Sequence, residues 1–283
     1  GDASRVASVF DGLLSAYFLG ARAQIDAMQP ALGKVALLAV GGYGRGTLGL
    51  GSDLDVILVA ESVDAPGVHK LAETLLYPLW DAGVSVGHAV RTPDDLASLA
   101  REDLRSATTL LDARVLAGDA AFGLDAAARA WRVVFGGDTN SFLDALDGEM
   151  LGRHERYGGS VYLLEPDVKH GRGALRDLDI ARWALRARYH ARDFKHALEL
   201  AALSAHDAAQ LEAAREFDWR VRGVLHAHSG RRSDRLTFDE QEECARAFGL
   251  VAPELDASDP VQAVGVAAER LMTEYYQHAR TVA

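Results

Sequence analysis

The sequence predicts an α+β fold, with a small mixed β-sheet flanked by helices in its first part and an all-helical domain in its second. Apolar runs at residues 35–40 and 56–59 have the length and composition of buried strands, and residues 84–90 alternate with a period of two. Beyond Gly136, Gly137 and Asp138 no strand pattern follows. We therefore expect two domains, residues 1–136 and residues 137–283.

The helices of both domains follow from apolar spacing and from residues that start or end a helix. Residues 5–28 form an amphipathic pattern that Pro30 and Gly33 end, and residues 68–81 form a second pattern. Thr92 caps a third helix, and two more are predicted at 103–117 and 119–135. The last helix is expected to begin at Pro260, and only residues 164–178 interrupt the helical second domain.

Composition limits the class of protein and of partner. Hydrophobic residues make up 49% of the 283 residues, which is ample for packed cores. The single cysteine, Cys244, fits a reducing compartment, and no apolar run of about 18 residues or more appears, so we expect a cytoplasmic protein without a membrane partner. A net charge of −11 makes nucleic acid a poor partner, because binding it requires clustered cations.

A glycine-rich turn joins the first two predicted strands. Residues 41–46 have the sequence Gly-Gly-Tyr-Gly-Arg-Gly, and Ser52, Asp53 and Asp55 follow at the second strand. Side chains at i and i+2 of a strand share a face, so Asp53 and Asp55 project together. Two carboxylates on one face repel each other unless a cation lies between them, and such donors suit Mg²⁺ with substrate phosphates. The backbone N–H groups of the glycines can hold an anion.

Other interpretations of this glycine run are weaker. Residues 44–49 match the dinucleotide fingerprint G-x-G-x-x-G, but Gly51, Ser52 and Asp53 leave no room for a helix at its third glycine. No G-x-x-x-x-G-K-[ST] string occurs, which excludes a P-loop. A glycine-rich hairpin with solvated aspartates is the structural alternative, but an apolar strand with two acids on one face favours a functional site.

A Gly-Gly turn followed by Asp-x-Asp resembles the DNA polymerase β-like nucleotidyltransferases. More narrowly, residues 41–46 and 51–55 resemble the N-terminal part of the PII uridylyltransferases, which are nitrogen-sensing enzymes. This resemblance implies a nucleotidyltransferase core in which Asp53 and Asp55 are catalytic and hold Mg²⁺ or Mn²⁺. It also implies nucleotide-binding residues in the turn, which we expect to be Gly41, Gly42, Arg45 and Ser52.

The third predicted strand has no acid where polymerase β-like enzymes commonly place a third metal carboxylate. It has Ser85, Gly87 and His88, although its Val-Gly-His-x-Val-Arg-Thr string resembles the uridylyltransferases. Either two aspartates suffice or an acid comes from elsewhere, with Asp81 and Asp103 as candidates. We expect His88 to be structural or substrate-facing rather than a metal ligand.

A second string, at residues 164–178, resembles the Glu-Pro-Asn-Lys-Gly-Gly-Leu-Arg-Asp pattern of the uridylyltransferases. It departs from that pattern at Asp167, at His170 and at residues 172–174. Lys169, Arg172 and Arg176 lie at the start of a predicted helix, where the dipole disfavours cations unless an anion binds there. We therefore expect these three cations to bind the nucleotide; a solvated basic loop is the alternative.

A third string that resembles the uridylyltransferases covers residues 229–239. It contains Arg231, Arg232 and Arg235, a cationic group on an acidic protein. These arginines are candidates for contacts with phosphate or with the protein partner. Pairing with Asp234 and Asp239 is the structural alternative.

The three strings together imply a function. They imply metal-dependent transfer of UMP from UTP to a tyrosine of a PII signalling protein, with release of pyrophosphate. The alternatives are a nucleotidyltransferase for another protein or small molecule, and a non-catalytic sensing module that binds nucleotide or PII. After Phe238 only one histidine, His278, follows. We therefore expect these residues neither to remove UMP through a phosphohydrolase site nor to respond to glutamine.

Overall fold

The computed structural model describes residues 2–28, 32–49, 51–229, 233–253 and 259–283. The chain divides into two compact units, Gly1–Phe142 and Leu143–Ala283. The division lies inside helix α7 (Thr139–Tyr157), a few residues after the predicted domain limit at 136. The α+β class is confirmed, because the first unit contains a four-stranded mixed sheet and the described part of the second unit has helices without strands.

The first unit is built from strands β1–β4 and helices α1–α6. The strands are β1 (Val35–Ala39), β2 (Leu54–Ala60), β3 (Val86–Arg91) and β4 (Arg114–Gly118). The helices are α1 (Asp2–Met28), α2 (Gly41–Gly44), α3 (Pro66–Asp81), α4 (Pro93–Glu102), α5 (Leu104–Leu111) and α6 (Ala120–Gly136). Thr92 caps α4 as predicted, through a hydrogen bond from the backbone N–H of Asp95.

The sheet has the strand order β3-β2-β1-β4, with β1 antiparallel to β2 and β4 and with β2 parallel to β3. Alternate residues of β1 and β2 enter two different cores. Leu37 and Val56 pack with α1 and α3, whereas Leu38 and Ile57 pack with α4, α5 and α6. Because side chains alternate along a strand, Asp55 lies on the same face as Ile57, the face that α4–α6 cover.

The second half of the predicted helix at 103–117 is wrong. Helix α5 ends at Leu111, and Arg114–Gly118 is strand β4. Val115 and Leu116 fit a helical or an extended pattern equally well, and pairing with β1 decides between them. At Gly118 a Cβ atom would lie 2.9 Å from the Cα atom of Ala36, so glycine permits the close approach to β1.

Among its described residues, the second unit contains the rest of α7 and five further helices: α8 (Leu175–Tyr189), α9 (Phe194–Glu199), α10 (Ala205–Ser229), α11 (Phe238–Ala247) and α12 (Pro260–Val282). Helix α12 begins at Pro260 as predicted. The irregular segment contributes Val168 to the core between α10, α11 and α12, and Leu236 joins it there. None of the described helices combines enough length and apolar character to cross a membrane.

Candidate active site

The glycine segment between β1 and β2 is a helical turn followed by a tight loop. Gly41 has a φ of +55°, a left-handed conformation that favours glycine. At Gly44 a Cβ atom would overlap the carbonyl oxygen of Asp112 and lie 2.9 Å from that of Ala39, so no larger residue fits. The turn reverses the chain at the end of β1 and leads it to Asp53 at the start of β2.

Two arginines hold this turn inside the first unit. Arg114 on β4 donates hydrogen bonds to the carbonyl oxygen of Gly44 (3.2 Å) and to both carboxylate oxygens of Asp11 (2.8 and 3.0 Å). Arg45, predicted to bind nucleotide, donates through Nη1 to Oδ2 of the buried Asp112 at 2.6 Å. The structure therefore gives Arg45 a role in fixing the turn.

Ser52 closes the loop that precedes the aspartates. Its Oγ accepts a hydrogen bond from the backbone N–H of Gly49 (3.1 Å), and its own N–H donates to the carbonyl oxygen of Gly49 (3.0 Å). The carbonyl oxygen of Gly42 accepts from the N–H of Thr47 at 3.3 Å. Ser52 thus orders the glycine loop from the position next to Asp53.

The two predicted catalytic aspartates lie where β2 begins. Asp53 and Asp55 are both half-buried, and Oδ1 of Asp53 is shielded from solvent. The carboxylate of Asp55 lies between two glycines: a Cβ atom added at Gly87 would be 2.5 Å from Oδ1, and one added at Gly41 would be 3.7 Å from Oδ2. Gly87 is the direct partner of Asp55 in the β2–β3 register. The absence of a side chain on β3 at this point makes room for the carboxylate.

Neither candidate for a third acid joins Asp53 and Asp55. Across the described ranges, no group of three or more His, Cys, Asp and Glu side chains is arranged to hold a metal ion. Asp103 caps α5 by accepting from the backbone N–H of Ser106 (2.8 Å), and that hydrogen bond lowers the pKa of its carboxyl group. Asp81 ends α3, which packs on the opposite face of the sheet from Asp55.

His88 also lies away from the two aspartates. It pairs with Val56 in the β2–β3 register, so its side chain points to the face opposite Asp55. Its ring contacts Trp80 of α3, with 5.3 Å between the ring centroids. This position agrees with a structural or substrate-facing histidine.

In the second unit, the segment at 164–178 is built around a buried carboxylate. Asp177 accepts hydrogen bonds from Arg153 (2.6 Å), from His154 (2.9 Å) and from the backbone N–H of Gly173 (2.6 Å). The side chains of Arg153 and Asp177 are 2% and 4% exposed. At Gly173 a Cβ atom would overlap the carbonyl oxygen of Ala279, so this glycine is required by packing.

Lys169 lies beside a second acidic centre. Its Nζ is 3.9 Å from Oδ2 of Asp234, and Oδ1 of Asp234 accepts from Arg222 (2.7 Å) and His226 (2.8 Å). Burial lowers the pKa of Lys169, and the charge of Arg222 acts in the same direction. Burial alone would raise the pKa of Asp234, but the hydrogen bonds from His226 and Arg222 outweigh it and hold that pKa well below its usual range.

The other described cations predicted to bind phosphate each have a different partner. Arg172 is exposed and donates to the carbonyl oxygen of Gly159 (3.2 Å), whereas Arg176 lies over the ring of Trp183, 5.5 Å from its centroid. Arg235 donates to Glu165 (3.0 Å) and remains 63% exposed. Arg231 and Arg232 lie outside the described residues.

Sequence reasoning missed several residues that shape the two regions. Gly87 had a detectable signal, since a glycine inside a strand often marks the close approach of another group. No sequence signal identifies the partners that come from distant positions. These are Asp11, Asp112 and Arg114 in the first unit and Arg153, His154 and Arg222 in the second.

Comparison with known proteins identifies the family. The model of a family described as GlnD PII-uridylyltransferase matches residues 141–283. The chain belongs to this family. It is 38% identical to the bifunctional uridylyltransferase/uridylyl-removing enzyme of Rhodospirillum rubrum over 249 residues, which are 88% of this chain and 26% of that enzyme. It is 35% identical to the enzyme of the same name from Cereibacter sphaeroides over 281 residues, 98% of this chain and 29% of that enzyme.

The resemblance to the uridylyltransferases is therefore confirmed, and it extends from the first unit through the second. A third relative with the same name, from Novosphingobium aromaticivorans, is 36% identical over 249 residues. The chain spans about a quarter of the length of these enzymes, since the alignments cover 26% to 29% of them.

Proposed function

We propose that this member of the GlnD family transfers UMP from UTP to a tyrosine of a PII signalling protein and releases pyrophosphate. The observation that carries the proposal is the position of Asp53 and Asp55, at the start of β2 and beside the glycine turn. The names of the relatives supply the nucleotide and the reaction. We place this activity in the cytoplasm.

The residues present fit a divalent cation. Two half-buried carboxylates on one side of β2 form an oxygen-only donor set, and Mg²⁺ usually binds through one or two carboxylates together with waters and substrate phosphates. Asp53 and Asp55 would hold Mg²⁺ or Mn²⁺. Cations bound there would supply Lewis-acid chemistry, which would stabilise negative charge on the attacking and the leaving oxygens.

Other residues of the first unit are proposed to bind the triphosphate or to hold the glycine loop in place. Gly41 and Gly42 open the helical turn α2, where the first backbone N–H groups have no partner within the helix and are available to the triphosphate. Ser52 keeps this loop closed, and the Arg45–Asp112 pair fixes its base. The tyrosine oxygen forms the new bond to the α-phosphorus while the bond to pyrophosphate breaks, and its proton leaves to solvent or to a base.

In the second unit, Lys169 and Arg176 are our candidates for further nucleotide contacts. Burial lowers the pKa of Lys169, and a bound anion would favour its charged form. Arg172 and Arg235 are exposed and suit contacts with phosphate or with the acceptor protein. Arg231 and Arg232 stay candidates from the sequence alone.

The test is to incubate the protein with a PII protein, Mg²⁺ and each α-labelled nucleoside triphosphate in turn. We expect label from UTP to appear in the PII protein, with UTP preferred over ATP. Equal transfer from both nucleotides would contradict the uridylyl assignment. Nucleotide binding without transfer would favour the non-catalytic sensing module, a candidate that the two-acid donor set of the described residues keeps open.

A further inference from the structure

Strand β3 is an edge of the sheet, and its outward backbone groups are open. The N–H of Leu54 donates to the carbonyl oxygen of Ser85 at 2.9 Å, so the backbone groups of Ser85 and Gly87 point towards β2. Backbone groups alternate in direction along a strand, and those of Val86 and His88 therefore point away from the sheet. Within the described part of the chain, no hydrogen bond ends on the N–H or the carbonyl of His88.

Strand β4, the opposite edge of the sheet, is protected from pairing with another chain. The register between β1 and β4 shifts at Leu37 and Leu38, and the carbonyl oxygen of Leu116 on β4 accepts a hydrogen bond from Ser15 of α1 at 3.1 Å. Bulges and covering elements of this kind prevent edge strands from pairing with other chains. The regular β3 carries no lysine, proline or bulge and exposes Gly87 and His88. An exposed, regular edge of this kind can accept a strand from another chain.

The open edge runs beside the proposed catalytic carboxylate. Oδ1 of Asp55 leans over Gly87, where even a single added carbon would approach it to 2.5 Å. A strand added to β3 would lie about 4.8 Å farther out. The side chain of a tyrosine is longer than this spacing, and the bare backbone of Gly87 leaves the path to Asp55 open.

The two faces of an added strand would meet different surroundings. Those residues of the added strand that lie on the face of Asp55 would extend over Gly87. The residues that alternate with them would lie on the face of His88. There the ring of His88 contacts Trp80, and Tyr77 lies 5.7 Å from Trp80 between ring centroids. Trp80 and Tyr77 are 40% and 53% exposed, so they offer aromatic contacts to the residues that flank the tyrosine. Arg91 donates to the carbonyl oxygen of Val90 and ends the open edge there.

We propose that an extended segment of the acceptor protein pairs with the free edge of β3 and delivers its tyrosine across Gly87 to Asp55. This proposal rests on the proposed function, because it takes the acceptor to be a protein tyrosine. Backbone hydrogen bonds to Val86 and His88 hold the segment, and alternation of its side chains directs the tyrosine to the catalytic face.

The first experiment compares His88→Pro with His88→Ala. Proline removes the outward N–H of His88 and is tolerated on an edge strand, whereas alanine keeps the N–H and removes only the ring. With His88→Pro we expect the KM for the PII protein to rise roughly tenfold or more, while the Kd for UTP stays that of the wild type. We expect a smaller change with His88→Ala. An unchanged KM in a His88→Pro protein that melts at the wild-type temperature overturns the proposal.

A second experiment uses the wild-type chain, so that a folding defect of the proline variant cannot hide the result. Amide hydrogen exchange of residues 86–90 is followed with and without an excess of the PII protein and a non-hydrolysable UTP analogue. The proposal predicts slower exchange at Val86 and His88 in the complex. If labelled UMP is transferred from UTP to the PII protein but this protection is absent, the docking mode is overturned and the proposed function stays intact. Protection without transfer supports the docking mode and contradicts the proposed function.

Discussion

The glycine–aspartate segment of the first unit and the basic loop of the second unit both place glycines near charged residues, yet the fold uses their charges differently. In the loop at 164–178, Asp177 is buried and satisfied by Arg153, His154 and a backbone N–H. In the segment at 41–55, Asp53 and Asp55 stay half-buried at the start of β2, and the carboxylate of Asp55 lies between Gly41 and Gly87. Glycines beside charged residues thus belong to a structural centre in the loop at 164–178 and to a candidate catalytic centre in the segment at 41–55. The two regions differ in burial, since the side chain of Asp177 is 4% exposed whereas Asp53 and Asp55 are only half-buried.

The largest loss of stability is expected from Asp177→Ala in the second unit. This change leaves the buried guanidinium of Arg153 without its main carboxylate partner, and breaking a buried ion pair costs about 3–5 kcal/mol. The exposed Asp147 on α7 is the matched control, and Asp147→Ala is expected to cost less than about 0.5 kcal/mol. Unfolding in urea measures both. Equal stability of the two variants would show that Asp177 is not structural.

A pair of glycine substitutions tests the turn of the first unit. Gly44→Ala pushes a methyl group into the carbonyl of Asp112 and is expected to cost about 1–3 kcal/mol or more. At Gly46 nothing lies within 4 Å of an added Cβ, and only its φ of +72° opposes alanine, at about 1–2 kcal/mol. Thermal unfolding of both variants measures the difference. A Gly46→Ala variant less stable than Gly44→Ala would contradict the described packing of the turn.

The third prediction concerns the pH dependence of the second unit. The pKa of Asp234 is lowered in the folded protein, so its contribution to stability is present above the unfolded carboxyl pKa of about 4 and is lost as the pH falls below it. Asp234→Asn is therefore expected to cost on the order of 2 kcal/mol at pH 7 and progressively less towards pH 3. Urea unfolding at both pH values measures this. A cost that grows on acidification would reverse the assigned direction of the pKa shift.

The smallest effect on stability is expected at Lys169. Asp234 keeps Arg222 and His226 as partners when Lys169 is replaced, so Lys169→Met is expected to change the unfolding free energy by less than about 1 kcal/mol. If Lys169 binds the nucleotide as proposed, the Kd for UTP should rise roughly tenfold, which calorimetry measures. An unchanged Kd would place Lys169 with the structural charges of its loop.

The sequence predicted the sheet, most helices and the position of the aspartates, because each depends on local patterns. Alternating apolar residues fix β1 and β2, and the i, i+2 spacing puts Asp53 and Asp55 on one side of the chain. Strand β4 was missed because Val115 and Leu116 are equally compatible with a helix. Only the pairing with β1, which lies about eighty residues earlier in the chain, selects the strand.

The distribution of charges in the second unit was not predictable for a similar reason. Lys169, Arg172 and Arg176 form one basic cluster in the sequence, but their partners differ. Lys169 lies beside Asp234, Arg172 donates to the carbonyl oxygen of Gly159, and Arg176 contacts Asp179 and the ring of Trp183 on its own helix. Tertiary packing brings Asp234 and Gly159 to the cluster, and only the partners of Arg176 lie nearby on α8 itself.

The most direct test of the central claim combines activity and stability for Asp53→Asn and Asp55→Asn. Asparagine keeps the shape of each side chain and removes the charge that is proposed to hold the cations. We expect transfer of label from UTP to a PII protein to fall by about a thousandfold or more, because cation binding contributes several kcal/mol to such reactions. In metal-free buffer the melting temperature should stay the same or rise, since two like charges no longer repel each other. Transfer at a near wild-type rate, or a large drop in melting temperature, would contradict the assignment of these aspartates to catalysis.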